Sequence, residues 1–159
     1  MSTPSDQSLD PKNSPLMAAL QELMTMHGSH RLNVIVAHGL LELLINTFVE
    51  AKCKHGKDIT SHSRDYTHSA KLVILHELGL LTDSEFARFD WLRKLRNRAA
   101  HETRFAIESR DLHYFPEFSD PAQFELMCIT LVVGFWNRHV ELFGPRIMPE
   151  LYTKSQNRP

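Results

Sequence analysis

Much of what directs a chain into a familiar functional class is missing from this sequence. Only two cysteines, Cys53 and Cys128, occur in 159 residues, and they stand far apart. That excludes a disulfide framework. It reads as two core thiols in a reducing compartment, with a single disulfide as the alternative. No uninterrupted apolar run approaches ~18 residues, so no segment is expected to span a membrane. The opening stretch MSTPSDQSLDPKNSP has no charged start followed by an apolar run, so it does not read as a signal peptide. The cytoplasm is the expected location. The formal net charge of -1 removes any global basic field, so a nucleic-acid contact would need a local patch.

Site signatures are also scarce. There is no glycine-rich phosphate loop, no nucleophile elbow, no HExxH and no paired CxxC. Ser, His and Asp are scattered without a triad pattern. Ten histidines raise the question of metal. His27 and His30, Cys53 and His55, and His62 and His68 are the nearest groupings, and none has zinc-ligand spacing. No metal and no cofactor are expected. His76 and His139 read as packing or solvent positions.

What is present is helical patterning. A hydrophobic fraction of 42% supports one core. Residues 1–13 are polar and Pro/Ser-rich and read as a disordered tail. Ser14 with Pro15 is a good helix start, and Leu16, Ala19, Leu20, Leu23 and Met24 make an amphipathic segment ending near Gly28. A longer helix is predicted over residues 29–54, striped by Leu32, Ile35, Val36, Leu40, Leu43, Leu44, Thr47, Phe48 and Ala51. Gly39 in its middle costs roughly 1 kcal/mol relative to alanine, which points to close packing there. Residues 53–65 read as a polar connector. A third helix is predicted over 63–78, with Tyr66, Ala70, Val73, Ile74 and Glu77 on its face and Gly79 as its stop. Residues 104–118 read as an extended excursion or a short hairpin. Asp120 and Pro121 start a last helix that runs to Phe143, before Gly144-Pro145. Residues 146–159 form a second tail. The expected fold is all-α: an up-and-down bundle of about five helices in a domain spanning 14–145.

The most informative stretch is GLLTDSEFARFDWLRKLRNRAAHE, residues 79–102. Thr82 with Glu85 three residues on forms a capping box, so a helix begins near Asp83. Phe86, Phe89, Leu92, Leu95 and Ala99 give it one apolar face. Arg96, Asn97 and His101 stand at its end. At ~100° per residue, Arg96 and His101 are about 140° apart on an ideal helix. They converge only if the helix end unwinds or a second chain brings its own copy alongside.

This ending resembles the R-N-x3-H form of the HEPN superfamily motif. The frame GLLTDSEFARFDWLRKLRNRAAH resembles the mannitol operon repressor branch, in which a GLI turn precedes a helix ending IRxIRNxFAH. It is also similar to stand-alone HEPN proteins ending RN..AH. The resemblance covers residues 79–101, with a looser match in the two helices before them. It implies a HEPN-type helical bundle acting as a homodimer with a composite site, and metal-independent endoribonuclease activity in toxin, defence or stress systems. Under it, His101 is general acid/base, Arg96 binds phosphate and Asn97 organises the site. The chemistry suits the residue types, since histidine titrates near neutrality and arginine stays charged and can grip two phosphate oxygens. Arg93, Lys94, Arg98 and Arg104 flank the motif and could track an RNA backbone. RNA and a second copy are the expected partners, with an antitoxin or regulatory protein as a third. Thr103 stands where toxin members carry a tyrosine two residues after the histidine. Neutralisation by modification of that tyrosine is therefore not expected.

Three other readings attach to the same residues. The mannitol repressor branch implies a non-catalytic role in transcriptional regulation. A purely structural reading pairs Arg96 with Asp90 or Glu102 and lets His101 cap the helix. DNA reading by a helix-turn-helix near residues 78–98 is disfavoured. The Phe86, Phe89 and Leu92 face needs burial, and the basic residues lie at the wrong end of the helix.

Overall fold

The computed structural model describes residues 29–149, together with the isolated positions 18, 21, 22 and 25. The helix expected over 14–28 and the outer parts of both tails lie outside the described residues. Within them the fold is an all-α helical bundle of six α-helices, without a strand.

Helix α1 (His30–Lys52) is the hub, and every other α-helix packs against it. The Ser29 side chain accepts the Leu32 N–H at its start. By length and composition α1 could cross a membrane, but just over half of its most apolar window is buried inside the bundle. Val34, Ala37, Leu41, Leu44, Ile45, Phe48 and Val49 form its core face. Leu32, Ile35 and Leu43, expected on the buried stripe, are exposed instead. Gly39 shares that outer face, and a Cβ placed on it would meet nothing within 4 Å. Close packing at Gly39 is therefore not supplied by the described residues. The helix is apolar over more of its circumference than its own neighbours cover, which is why periodicity alone chose the wrong edge.

The connector after α1 is not irregular. It holds a short helix, α2 (Gly56–Ser61), tied back to α1 by the Thr60 hydroxyl, which donates to Glu50 Oε1 at 2.6 Å. Gly56 is required there, since a Cβ would stand 2.4 Å from the Val49 carbonyl oxygen. Helix α3 (His68–Glu77) starts later than residue 63, because Thr67 caps it by accepting the Ala70 N–H. Tyr66 belongs to the preceding turn, with its N–H on the His62 carbonyl. At the other end Gly79 has φ +68°, and Leu80 N–H bonds to Leu75 O while Gly79 N–H bonds to His76 O. This is a Schellman stop, and it suits glycine because the left-handed conformation strains other residues.

Helix α4 (Asp83–His101) carries the motif and begins with the expected reciprocal capping box of Thr82 and Glu85. Phe89, Leu92, Leu95 and Ala99 are buried. Phe86 is half-buried and stacks on His76 at 4.6 Å between ring centroids. Residues 104–118 form neither hairpin nor extended strand. Ile107, Leu112 and Phe115 plug the core around a single 3-10 turn, Ser109–Leu112. The Trp91 indole N–H donates to the Asp111 carbonyl at 2.6 Å and pins this segment to α4.

The last helix is broken. After a 3-10 turn at Pro121–Gln123, helix α5 (Phe124–Arg138) ends at His139, and α6 (Val140–Ile147) leaves at 95°. The bend turns Phe143 into the core, where the rings of Phe48, Phe135, His139 and Phe143 pack together, mostly edge to face. A straight helix would carry Phe143 past this cluster. Pro145 does not stop α6. It removes one N–H from the ladder, and the last turn is held by burial of Phe143 and Met148 and by the Met148 N–H to Gly144 O bond. Helix thus extends into the stretch read as a tail. Cys128 is fully buried, Cys53 is half-buried, and both are free thiols.

Candidate functional site

The helical spacing of α4 separates the motif residues. Arg93, Arg96 and Asn97 lie three and four residues apart and share one face. They form one wall of a cleft of about 390 Å³. Helix α1 supplies His38 and Glu42, one turn apart, and the first turn of α3 supplies Thr67, His68 and Ser69. His101 is not among the lining residues. It is the exposed last residue of α4, with no hydrogen bond or ion pair among the described residues.

The cations around the motif divide by what holds them. Arg93 donates to Asp90 Oδ1 at 2.8 Å through Nε, and Lys94 Nζ stands 2.7 Å from Asp90 Oδ2. Burial alone would push the Asp90 carboxyl up, but the hydrogen bonds from Lys94 and Arg93 outweigh it and hold it below the usual carboxylate range. Arg98 is committed to Asp111 at 2.7 Å and to Glu102 at 3.2 Å, and it lies over the Phe105 ring. Arg104 is exposed beyond the helix end and away from the cleft. Arg96 differs from Arg93 and Arg98. It pairs with no carboxylate among the described residues, and its only hydrogen bond there is a long one, 3.5 Å, to Asn97 Oδ1. Asp90 and Glu102, the partners a structural reading would give it, are taken by its neighbours.

Nor does His101 cap the helix. That role falls to Arg31 of α1, whose guanidinium donates to the carbonyls of Ala99, Glu102 (2.7 Å) and Thr103 (3.3 Å). A cation on these terminal carbonyls complements both the unpaired acceptors and the negative end of the helix dipole. Arg31 thereby fixes the end of α4 from which His101 projects.

Two residues of the cleft were not legible as a pair. His38 and His68 face one another with ring centroids 4.7 Å apart. Nε2 of His38 and both ring nitrogens of His68 are buried without a hydrogen-bond partner among the described residues. Burial holds the His38 imidazolium pKa below its ordinary value, aided by Arg96 and Arg93 and opposed by Glu42. Burial likewise lowers His68, to about 3, with His38, Lys71 and Arg93 adding to the effect and Asp90 opposing it. Both rings are therefore neutral at neutral pH, each with one N–H to give and one lone pair to offer. Among the described residues no three His, Cys, Asp or Glu side chains come together as a metal site. The chemistry on offer is one uncommitted guanidinium, one amide and two neutral imidazoles in a shared cleft. Comparison of the chain with models of known families, with curated proteins and with solved structures returned no match.

Proposed function

We propose that this chain is a metal-independent endoribonuclease of HEPN type that works as a homodimer. The observation that carries this reading is Arg96, the motif arginine. It lines a cleft and has no carboxylate partner among the described residues, while Arg93, Lys94 and Arg98 around it are held by Asp90, Asp111 and Glu102. A guanidinium left unpaired beside an amide suits a phosphodiester, which it can grip through two oxygens. In the reaction a histidine takes the proton of a ribose 2′-hydroxyl, and the 2′-oxygen attacks phosphorus. The bond to the 5′-oxygen breaks, and that oxygen leaves with a proton from a second acid. The products are a 2′,3′-cyclic phosphate and a 5′-hydroxyl. His101 is the acid/base and Asn97 orients the phosphate. Because His101 does not line its own chain's cleft, in this reading it serves the cleft of a second copy. Lys94 and Arg104 lie outside the cleft, where they could meet the RNA backbone. The setting is the cytoplasm, no cofactor takes part, and restraint comes from an antitoxin or another protein partner.

A second reading, that of a non-catalytic transcriptional regulator or interaction module like the mannitol operon repressor, draws on one specific observation. Within a single chain His101 and Arg96 do not share a cleft. Incubation of the purified protein with RNA in chelator separates the two. Under the first reading the wild type cleaves, and Arg96→Ala and His101→Ala, both folded, do not. Absence of cleavage by the folded wild type would favour the regulator.

A further inference from the structure

We propose that the cleft between α1, α3 and α4 is a phosphate pocket complete within one chain, in which His38 and His68 bind the anion together with Arg96. It rests on the reading of Arg96 as a phosphate-binding residue. It adds a histidine pair that the motif does not contain, and a ligand class: a phosphate monoester or inorganic phosphate.

Three helices wall the cleft. The first turn of α3 contributes Thr67, His68 and Ser69. The Thr67 hydroxyl is used on the Ala70 N–H, which leaves the backbone N–H groups of His68 and Ser69 without acceptors inside the helix. A helix start of this kind favours an anion. The independent observation is His38. It is only 7% exposed, it lines the cleft, and its Nε2 has no partner among the described residues. An orphaned polar atom in so buried a ring costs free energy unless a ligand or water satisfies it. His68 repeats the pattern with two orphaned nitrogens.

The charges that face this pair come from all three helices. Helix α1 brings Glu42 at the cleft wall. Helix α3 brings Lys71, whose ammonium donates to Asn46 Oδ1 at 2.9 Å. Helix α4 brings Arg93, neutralised by Asp90, and Arg96, which is not neutralised. An anion can answer Arg96, the two imidazoles and the α3 amides at once, while a cation would meet two guanidinium groups. A volume of about 390 Å³ lies at the lower end of the range for small-molecule sites, about 300–1,000 Å³, and suits a ligand of nucleotide size.

The histidines need no change of charge to do this. Each neutral ring already has one N–H to give, and burial keeps both rings neutral near pH 7, so each donates to the anion without taking up a proton.

The test is calorimetric titration of the full chain with inorganic phosphate and with uridine 3′-monophosphate. Each runs beside Arg96→Gln, His38→Gln and His68→Gln, with the fold of every variant checked by circular dichroism. We expect saturable binding at one site per chain. Arg96→Gln should weaken it about tenfold or more, as loss of one charge-assisted contact does. Each histidine variant should bind more weakly than wild type. Absence of saturable binding by wild type overturns the pocket, as does wild-type affinity in the folded histidine variants. The first of these stands even if a variant fails to fold. Failure here is distinct from failure of the nuclease reading. RNA cleavage by a protein that does not bind phosphate would sink the pocket alone. Phosphate binding by a protein that leaves RNA intact would sink the nuclease alone.

Discussion

Gly39→Ala should stabilise the isolated chain. Gly39 sits near the middle of a 23-residue helix, and a Cβ there meets nothing within 4 Å. The substitution therefore adds no clash and fills no cavity. What it changes is the unfolded state, where glycine has more freedom to lose, and the helix propensity. Together these are worth about 0.5–1 kcal/mol in favour of alanine. For a domain of this size the midpoint should rise by about 1–4 °C. Thermal melts followed by circular dichroism, and urea titrations with an unchanged m-value, would measure it at low micromolar protein. Gly56→Ala is the opposing control, since its Cβ would lie 2.4 Å from the Val49 carbonyl oxygen and 2.5 Å from the Glu50 Cα. It should destabilise, by roughly 1–3 kcal/mol, because the obstacle is backbone. A fall in stability for Gly39→Ala would refute the reasoning. It would mean that something outside the described residues packs on the outer face of α1, which also exposes Leu32, Ile35 and Leu43.

Two further perturbations probe how the motif helix and the cleft are held. Arg31→Ala removes the guanidinium from three carbonyls at the end of α4 and from the face of Phe105. A loss of about 1–2 kcal/mol is expected, with faster amide exchange confined to the last turn of α4, and uniform exchange across the chain would contradict it. The second is pH dependence. His68 has an ordinary pKa of 6.5 in the unfolded chain and about 3 when folded, so below the former the unfolded state binds a proton that the folded state refuses. The stability it contributes is complete above about pH 6.5 and is lost as pH falls towards 3; by about pH 5.5 the loss from this residue is about 1.4 kcal/mol. Urea midpoints near pH 7.5 and 5.5 should differ less for His68→Gln than for wild type, and equal differences would refute the assignment.

The helices were legible where one element explained itself. The Thr82/Glu85 box, the Gly79 stop and the Asp120-Pro121 start all act within four residues, and all three appear. What escaped depends on residues far apart. The break at His139 keeps the apolar period of the helix on both sides, and only the Phe48 cluster rewards the turn. Helix α2 looked like a polar connector because its anchor is the fit of Gly56 against Val49 and not an apolar stripe. Arg31 and the end of α4 are about 70 residues apart, so nothing local marked that contact. The candidate site divides in the same way. Arg93, Arg96 and Asn97 could be placed on one face from their spacing. His38 and His68, 30 positions apart, meet only because α3 packs on α1. The one signal in the sequence was the spacing of His38, which shares a helix face with Val34, Leu41 and Ile45 and so falls on the core side of α1.

The most direct test of the account is the chemistry of the cut ends. A defined RNA oligonucleotide is incubated with purified wild-type protein in excess chelator, and the products are weighed by mass spectrometry. The account predicts fragments ending in a 2′,3′-cyclic phosphate paired with fragments beginning in a 5′-hydroxyl, and none from Arg96→Ala. Intact RNA, or ends carrying a 5′-phosphate and a 3′-hydroxyl, would contradict it.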